Sequence, residues 1–228
     1  VVVSIYVNPT QFKANEDFDT YPRTFEADLD SIAADGGCDA IYAPNNMYHT
    51  AHATDIIPGG VALPMEGKCR PHFFRGVATI VFKLFTHVPA DFAIFGEKDF
   101  QQLAVIRQMV RDLDIDICIL SHPTIREADG LALSSRNNYL SSKERELAPQ
   151  LYTQIKETAR LIDNGEDVDI ALNDAQIKLK SLGFGIIDYY DLRQSDNLLR
   201  CAERQKKCRI FAAIWLGSTR LIDNFSLS

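Results

Sequence analysis

The chain has 228 residues, enough for one large domain or two small ones around a real core. Its 46% hydrophobic and 24% charged residues exclude a disordered or fibrous chain. With 24 Lys and Arg against 31 Asp and Glu, the net charge of −7 argues against a sequence-independent grip on nucleic acid, which depends on neutralising phosphates.

Val1 to Val7 is a β-branched run without polar alternation, predicting a strand buried on both faces and stopped by Asn8-Pro9. Lys13 to Asp30 carries six acids against two bases and reads as a solvated loop leading into a helix. Phe25, Leu29, Ile32 and Ala33 recur at helical spacing, and Gly36-Gly37 ends that helix. Cys38 to Ala43 is a second short strand. From Pro44 to Arg75 the chain is loop-like, a length that marks a lid or binding loop. Val77 to Val88 reads as helix, Asp91 to Phe95 as strand, Phe100 to Leu113 as a strongly periodic helix and Ile115 to Leu120 as a fourth strand. Strands alternating with helices predict a parallel α/β sheet.

The pattern changes near Pro123. A capping box, Ser141-x-x-Glu144, opens one helix running to Gly165, and a second helix ends at Gly183. Phe184 to Leu192, Ile210 to Leu216 and Arg220 to Asp223 read as strands. The expected organisation is a parallel-sheet domain over 1–122 and a smaller α+β carboxy-terminal domain over 123–228. No apolar run reaches the roughly 18–20 residues of a membrane span, and no signal-peptide pattern opens the sequence. Cys38, Cys69, Cys118, Cys201 and Cys208 form no Cys-x-x-Cys pair and read as reduced thiols of a cytoplasmic protein.

Ligands bind open parallel sheets outside the carboxyl ends of the strands, and three polar clusters stand at predicted strand exits. The first is Asn8 to Gln11. In the second, Gly96 to Gln102, Gly96 admits a ligand to the backbone, Lys98 offers a point charge and Asp99 is placed to cap the following helix, whose free N–H groups attract anions. A well-capped helix with an exposed Lys explains that segment equally well. In the third, Ser134-Ser135-Arg136 combines hydroxyl donors with a bidentate guanidinium, a set suited to phosphate oxygens; taken alone it is more simply a polar interdomain loop. Lys68, Arg70 and Arg75 in the long loop could close over an anion or be solvated. His49, His52 and His87 lack partners at ligand spacing and read as surface or packing residues, and the bases from Arg200 to Arg209 as a solvated turn.

In this order and spacing, Val3 to Phe12, Tyr21-Pro22-Arg23, Arg75 to Thr79, Gly96 to Gln102 and Pro123 through Asn137 resemble the pantoate–β-alanine ligase (pantothenate synthetase) family across almost the whole chain. The resemblance implies a Rossmann-like domain of the nucleotidyltransferase type, a smaller carboxy-terminal domain, an active site between them and a homodimer. It implies ATP-dependent condensation of pantoate with β-alanine through a pantoyl adenylate, with Mg²⁺, releasing pyrophosphate and then AMP. It places Gln11 and Gln102 on pantoate, with Gln11 also near β-alanine. Gly96, Glu97, Lys98, Asp99, Ile125, Leu133, Ser134, Ser135 and Arg136 fall around ATP. Lys98, Ser134, Ser135 and Arg136 would stabilise phosphate charge as pyrophosphate leaves, and Glu66 and Arg70 fall on the family's active-site flap.

The family's first strand and its His-x-Gly-His phosphate loop have no counterpart in this sequence. By family layout Val1 stands at the second strand, so an incomplete amino-terminal end is expected. Arg70-Pro71-His72-Phe73-Phe74 also departs from the family's usual Arg-Pro-Gly-His-Phe, so neither His72 nor Phe73 receives a role. A non-catalytic nucleotide-binding or dimerisation fragment is the competing reading, and a related nucleotidyltransferase a weaker one.

Overall fold

Val2–Ser4 forms β1, hydrogen-bonded in parallel to β2 (Ala40–Tyr42) with Val3 opposite Ile41, in a computed structural model that describes residues 1–13 and 16–227. Ala14 and Asn15, in the expected acidic loop, and Ser228, at the expected end of the second domain, lie outside the described residues. The expected burial on both faces is not found: Val2 is 47% exposed. A two-stranded pair leaves edges and faces uncovered, and among the described residues β1 bonds only to β2. Between them α1 (Phe25–Asp35) ends at Gly36, whose φ of 66° is the left-handed conformation the Gly-Gly signal predicted.

The connection expected to be irregular is partly folded. It holds a 3-10 turn at Gly60–Ala62 and one helical turn, α2 (Glu66–Cys69), and α3 (Phe73–His87) starts before the predicted Val77. A single helical turn has no period to read in sequence, yet Val61, Ala62 and Met65 are buried, so this segment belongs to the core. Gly67 is required there, because a Cβ would lie 1.7 Å from the Ala62 carbonyl oxygen.

β3 (Phe92–Gly96) pairs in parallel with β4 (Cys118–His122), joined by α4 (Phe100–Asp112). β4 begins three residues later than predicted. The expected single parallel sheet appears, among the described residues, as two parallel pairs, β1-β2 and β3-β4. The first core packs Val77, Ile80 and Val81 of α3 with Leu103 and Ile106 of α4, and recruits Leu198 and Phe211 from the second half of the chain.

The capping box is present at α5 (Ser142–Leu147), with Ser141 and Glu144 bonding reciprocally. The single helix predicted to Gly165 is interrupted at Ala148-Pro149, because Pro149 has no N–H to donate, and resumes as α6 (Gln150–Asp163). After α7 (Val168–Ser181), the strands β5 (Ile187–Gln194), β6 (Cys208–Leu216) and β7 (Thr219–Ser226) form an antiparallel sheet in that order. Ile155 and Ile162 of α6 and Leu179 of α7 pack on Leu192, Ile210 and Ile214 to make the second core. The fold is thus α/β with parallel strand pairs and a separate antiparallel sheet. No helix of the described residues is long and apolar enough to cross a membrane.

Candidate active site

Three strand exits build one cavity of about 650 Å³, within the range typical of small-molecule sites. At the first, buried Asn8 organises the turn that follows β1. Its Oδ1 accepts from the Thr10 and Tyr48 hydroxyls at 3.0 and 2.9 Å, and its Nδ2 donates to the Gly76 carbonyl at 3.2 Å. Gly76 lets α3 come this close, since a Cβ would meet Thr10 oxygens at 2.8 Å. Gln11 closes that turn and lines the cavity.

At the second exit, a 3-10 turn (Glu97–Asp99) joins β3 to α4 and brings Lys98 and Asp99 to the wall, their charged ends 3.8 Å apart. Asp99 stands at the helix N-cap position, but its side chain makes no capping hydrogen bond, contrary to expectation. Gln102 faces the cavity from the first turn of α4. Buried Gln101 grips the long connection, donating to Val61 and Pro64 carbonyls at 2.9 and 2.7 Å and accepting from the Glu66 N–H at 3.1 Å.

At the third exit, the chain folds back so that the Leu133 N–H donates to the Ile125 carbonyl at 2.9 Å. Arg126 anchors this loop to Asp223 of β7 through two bonds of 2.7 and 2.8 Å, and stacks 3.4 Å from the Tyr152 ring centre. Ser134, Ser135 and Arg136 follow and line the cavity.

Gln11, Glu66, Arg70, Lys98, Asp99, Gln102 and the Ser-Ser-Arg triplet therefore line one cavity. Gly96, Glu97, Ile125 and Leu133 do not line it. Gly96 is exposed, as are Ile125 and Leu133, and the Glu97 carboxylate accepts from Ser121 at 3.0 Å and Arg209 at 3.4 Å.

Two consecutive carboxylates expected to be solvated loop acids, Glu16 and Asp17, are instead partly buried and meet the cavity's arginines. Arg136 donates to both oxygens of Asp17 at 3.1 and 3.0 Å, and Arg70 to both oxygens of Glu16 at 3.1 and 2.5 Å. Burial would raise both carboxyls, but the guanidinium bonds and charges outweigh it and hold them below the usual range. The strap of residues 16–23 is further fixed on the triplet, with Ser135 donating to the Tyr21 hydroxyl at 3.1 Å and Tyr139 donating to the Thr20 carbonyl at 3.3 Å.

Glu66 is not poised over solvent as a loop residue would be. It is buried, accepts from Tyr189 at 2.9 Å and pairs with Arg220 at 2.6 Å, while Arg220 also donates to Asp188 at 2.6 Å. Burial, reinforced by the Glu66 charge, pushes the Tyr189 phenol well up. The basic run is split in the same way: Arg200 and Lys207 pair with Asp169 and Asp196 at the surface, whereas Arg209 is partly buried beside Glu97, its guanidinium 4.1 Å from the Phe100 ring centre. Arg220, Asp223 and Asn224 were missed as site residues. The available signal was Asp223-Asn224, two polar side chains between apolar Leu221-Ile222 and Phe225, which burial permits only when they are bonded. His72 stands at the N-terminus of α3 with its Nε2 buried and unbonded, and burial together with Arg70 lowers its pKa. Among the described residues, no group of three or more His, Cys, Asp or Glu could hold a metal ion.

The sequence profile described as pantoate-beta-alanine ligase matches residues 1–226. The pantothenate synthetase of Caulobacter vibrioides is 47% identical over 232 residues, spanning 100% of this chain and 81% of that protein. Pantothenate synthetase 2 of Bradyrhizobium diazoefficiens is 48% identical over 231 residues, with the same coverage of 100% and 81%. A crystal structure of pantothenate synthetase from Thermus thermophilus superposes with a TM-score of 0.93 at 39% identity, over 98% of this chain and 82% of that one. The Francisella tularensis pantoate-beta-alanine ligase, crystallised with β-γ ATP and β-alanine, superposes with a TM-score of 0.79 at 35% identity, over 99% of this chain and 78% of that one.

Proposed function

The chain belongs to the pantoate–β-alanine ligase family, and from that premise we propose how its cavity joins the two substrates. It is an ATP-dependent ligase condensing pantoate with β-alanine. A carboxylate has no usable leaving group, so the pantoate carboxylate first attacks the α-phosphorus of ATP and displaces pyrophosphate. The β-alanine amine then attacks the acyl carbon of the adenylate, loses a proton and displaces AMP. Both steps depend on holding anions in line and neutralising charge.

The observation that carries the residue assignment is the convergence of Gln11, Lys98, Gln102 and the Ser134–Arg136 triplet on one cavity from three distant stretches. Lys98, Ser134, Ser135 and Arg136 take the triphosphate and the departing pyrophosphate. Gln11 and Gln102, neutral donors and acceptors, take pantoate, with Gln11 also near β-alanine. Gly96, Ile125 and Leu133, exposed beyond the cavity wall, offer a bare backbone and apolar surface to the base of ATP. Glu97 serves by shaping the turn under Lys98, and Asp99 faces the phosphates. Glu66 and Arg70 brace the flap.

Mg²⁺ fits the cavity through Asp99, a half-exposed carboxylate of its lining that would offer the ion an oxygen ligand. When bound it neutralises phosphate charge. The division at 122/123 is supported by the two cores, and the cytoplasmic location by five free thiols. The homodimer rests on the family resemblance and is checked by light scattering. The relatives named above are called pantothenate synthetase or pantoate-beta-alanine ligase, which disfavours a non-catalytic fragment or another nucleotidyltransferase.

Exchange of labelled pyrophosphate into ATP must require pantoate and not β-alanine; absence of exchange rejects the adenylate. Lys98→Ala in the full-length protein lowers turnover by about 10²–10³-fold, the scale of losing one preorganised charge-stabilising group. Near-normal turnover removes Lys98 from its role.

A further inference from the structure

Asn224 lies on β7, in the half of the chain that does not carry Lys98, and is 3% exposed. Its Nδ2 donates both hydrogens, one to the Glu97 carbonyl and one to the Lys98 carbonyl, each at 2.9 Å. Its Oδ1 accepts from Arg209 of β6, and Arg209 reaches on to the Glu97 carboxylate at 3.4 Å. Ser121 of β4 bonds the other oxygen of that carboxylate at 3.0 Å. The Asn224 backbone N–H is itself fixed on Asp223 at 2.8 Å, and Asp223 is held by Arg126. The turn that carries Lys98 is thus gripped by a closed hydrogen-bonded circuit from the antiparallel sheet, and that grip falls on the carbonyl of Lys98 itself.

We propose that Asn224 is a positioning residue for Lys98: its side-chain amide fixes the Glu97–Lys98 backbone so that the ammonium stands where charge develops on the phosphates. This rests on the role given to Lys98 above. A buried amide is suited to the task because it supplies two donors without a charge that would compete with ATP. A carboxylate of the same shape has no donor and would set a negative charge against two carbonyl oxygens. A displacement of about 1 Å at a group acting in the transition state can cost on the order of 10²-fold in rate, with little effect on ground-state binding.

Asn224→Asp in the full-length protein, measured in single turnover, separates this role from a general structural one. The expected result is adenylation slowed by about 10–10²-fold, ATP KM changed by less than about 3-fold, and aminolysis of supplied pantoyl adenylate left within about 3-fold of wild type. In a Lys98→Ala background, Asn224→Asp should add less than about 2-fold, because a positioning residue has nothing left to position. Asn224→Ser, neutral and retaining one donor, gives the same pattern at smaller amplitude and serves if the carboxylate variant folds poorly. Equal slowing of both half-reactions, undiminished effect in the Lys98→Ala background, or normal adenylation would overturn the proposal. If Lys98→Ala alone leaves adenylation unchanged, the reading of Lys98 fails and this inference falls with it. If Lys98→Ala is slow and Asn224→Asp is normal, the positioning role alone is wrong.

Discussion

On the proposal that Arg136 takes the triphosphate, Asp17, which holds Arg136 through two bonds of 3.1 and 3.0 Å, is a carboxylate with which the nucleotide has to exchange places. The two side chains, Arg136 and Asp17, are 32% and 24% exposed, between a surface pair and a desolvated one. Exposed pairs contribute about 0.2–1 kcal/mol and hydrogen bonds to charged groups about 1.5–3 kcal/mol, which places this pair at about 1–2 kcal/mol. Asp17→Asn keeps the shape and one acceptor but removes the charge, releasing roughly 0.7–1.4 kcal/mol of that competition. ATP then binds about 3–10-fold tighter. Removing a negative charge beside the phosphates acts in the same direction. The strap keeps its contacts at Tyr21–Ser135 and Tyr139–Thr20, so the effect is local. Calorimetric titration with an α,β-blocked ATP analogue measures it, and the gain should shrink at high salt, where the pair is screened. Unchanged or weaker binding by the variant would refute competition and make Asp17 an orienting partner for Arg136.

Two further outcomes follow from the charges. Arg126→Ala strands Asp223, whose side chain is 3% exposed, and should cost about 3–5 kcal/mol in urea unfolding, whereas Lys207→Ala, whose pair with Asp196 is 74% and 73% exposed, should stay within about 0.5 kcal/mol. A loss below about 1 kcal/mol for Arg126→Ala would contradict the burial argument. Because the folded-state pKa values of Glu16 and Asp17 are depressed, their pairs stabilise the strap above the unfolded carboxylate range of about 4 and fade as pH falls through the lower folded-state values. The melting-temperature gap between wild type and Glu16→Gln/Asp17→Asn should therefore be full near neutral pH and close in acid; a gap constant with pH would exclude these pairs as its source.

Elements with a long period or a strong cap were legible in the sequence. The Leu103/Ile106 stripe of α4, the Ser141–Glu144 capping box and the Gly36 stop each act through neighbours a few residues away, so local spacing suffices to reveal them. The single turn of α2 and the break at Pro149 were not, the first because it has no period and the second because the apolar spacing of Leu147 and Leu151 continues across the proline. Within the site, the polar clusters at the strand exits stood out by composition. Their counter-charges did not: Asp17 looked like one acid among six, and Arg209 like one base in a solvated run.

Residue order and spacing by themselves determined the α/β alternation, the helix stop at Gly36, the cap at Ser141 and the set of polar groups available for phosphate and carboxylate chemistry. The tertiary structure alone decided which of those groups share a cavity and which carboxylate answers which arginine, and it set Asn224 on the carbonyls of Glu97 and Lys98. The reason is that hydrogen bonds and ion pairs act over about 3–4 Å in space, while the partners here lie 54 to 127 positions apart in the chain, a separation at which sequence carries no pairing signal.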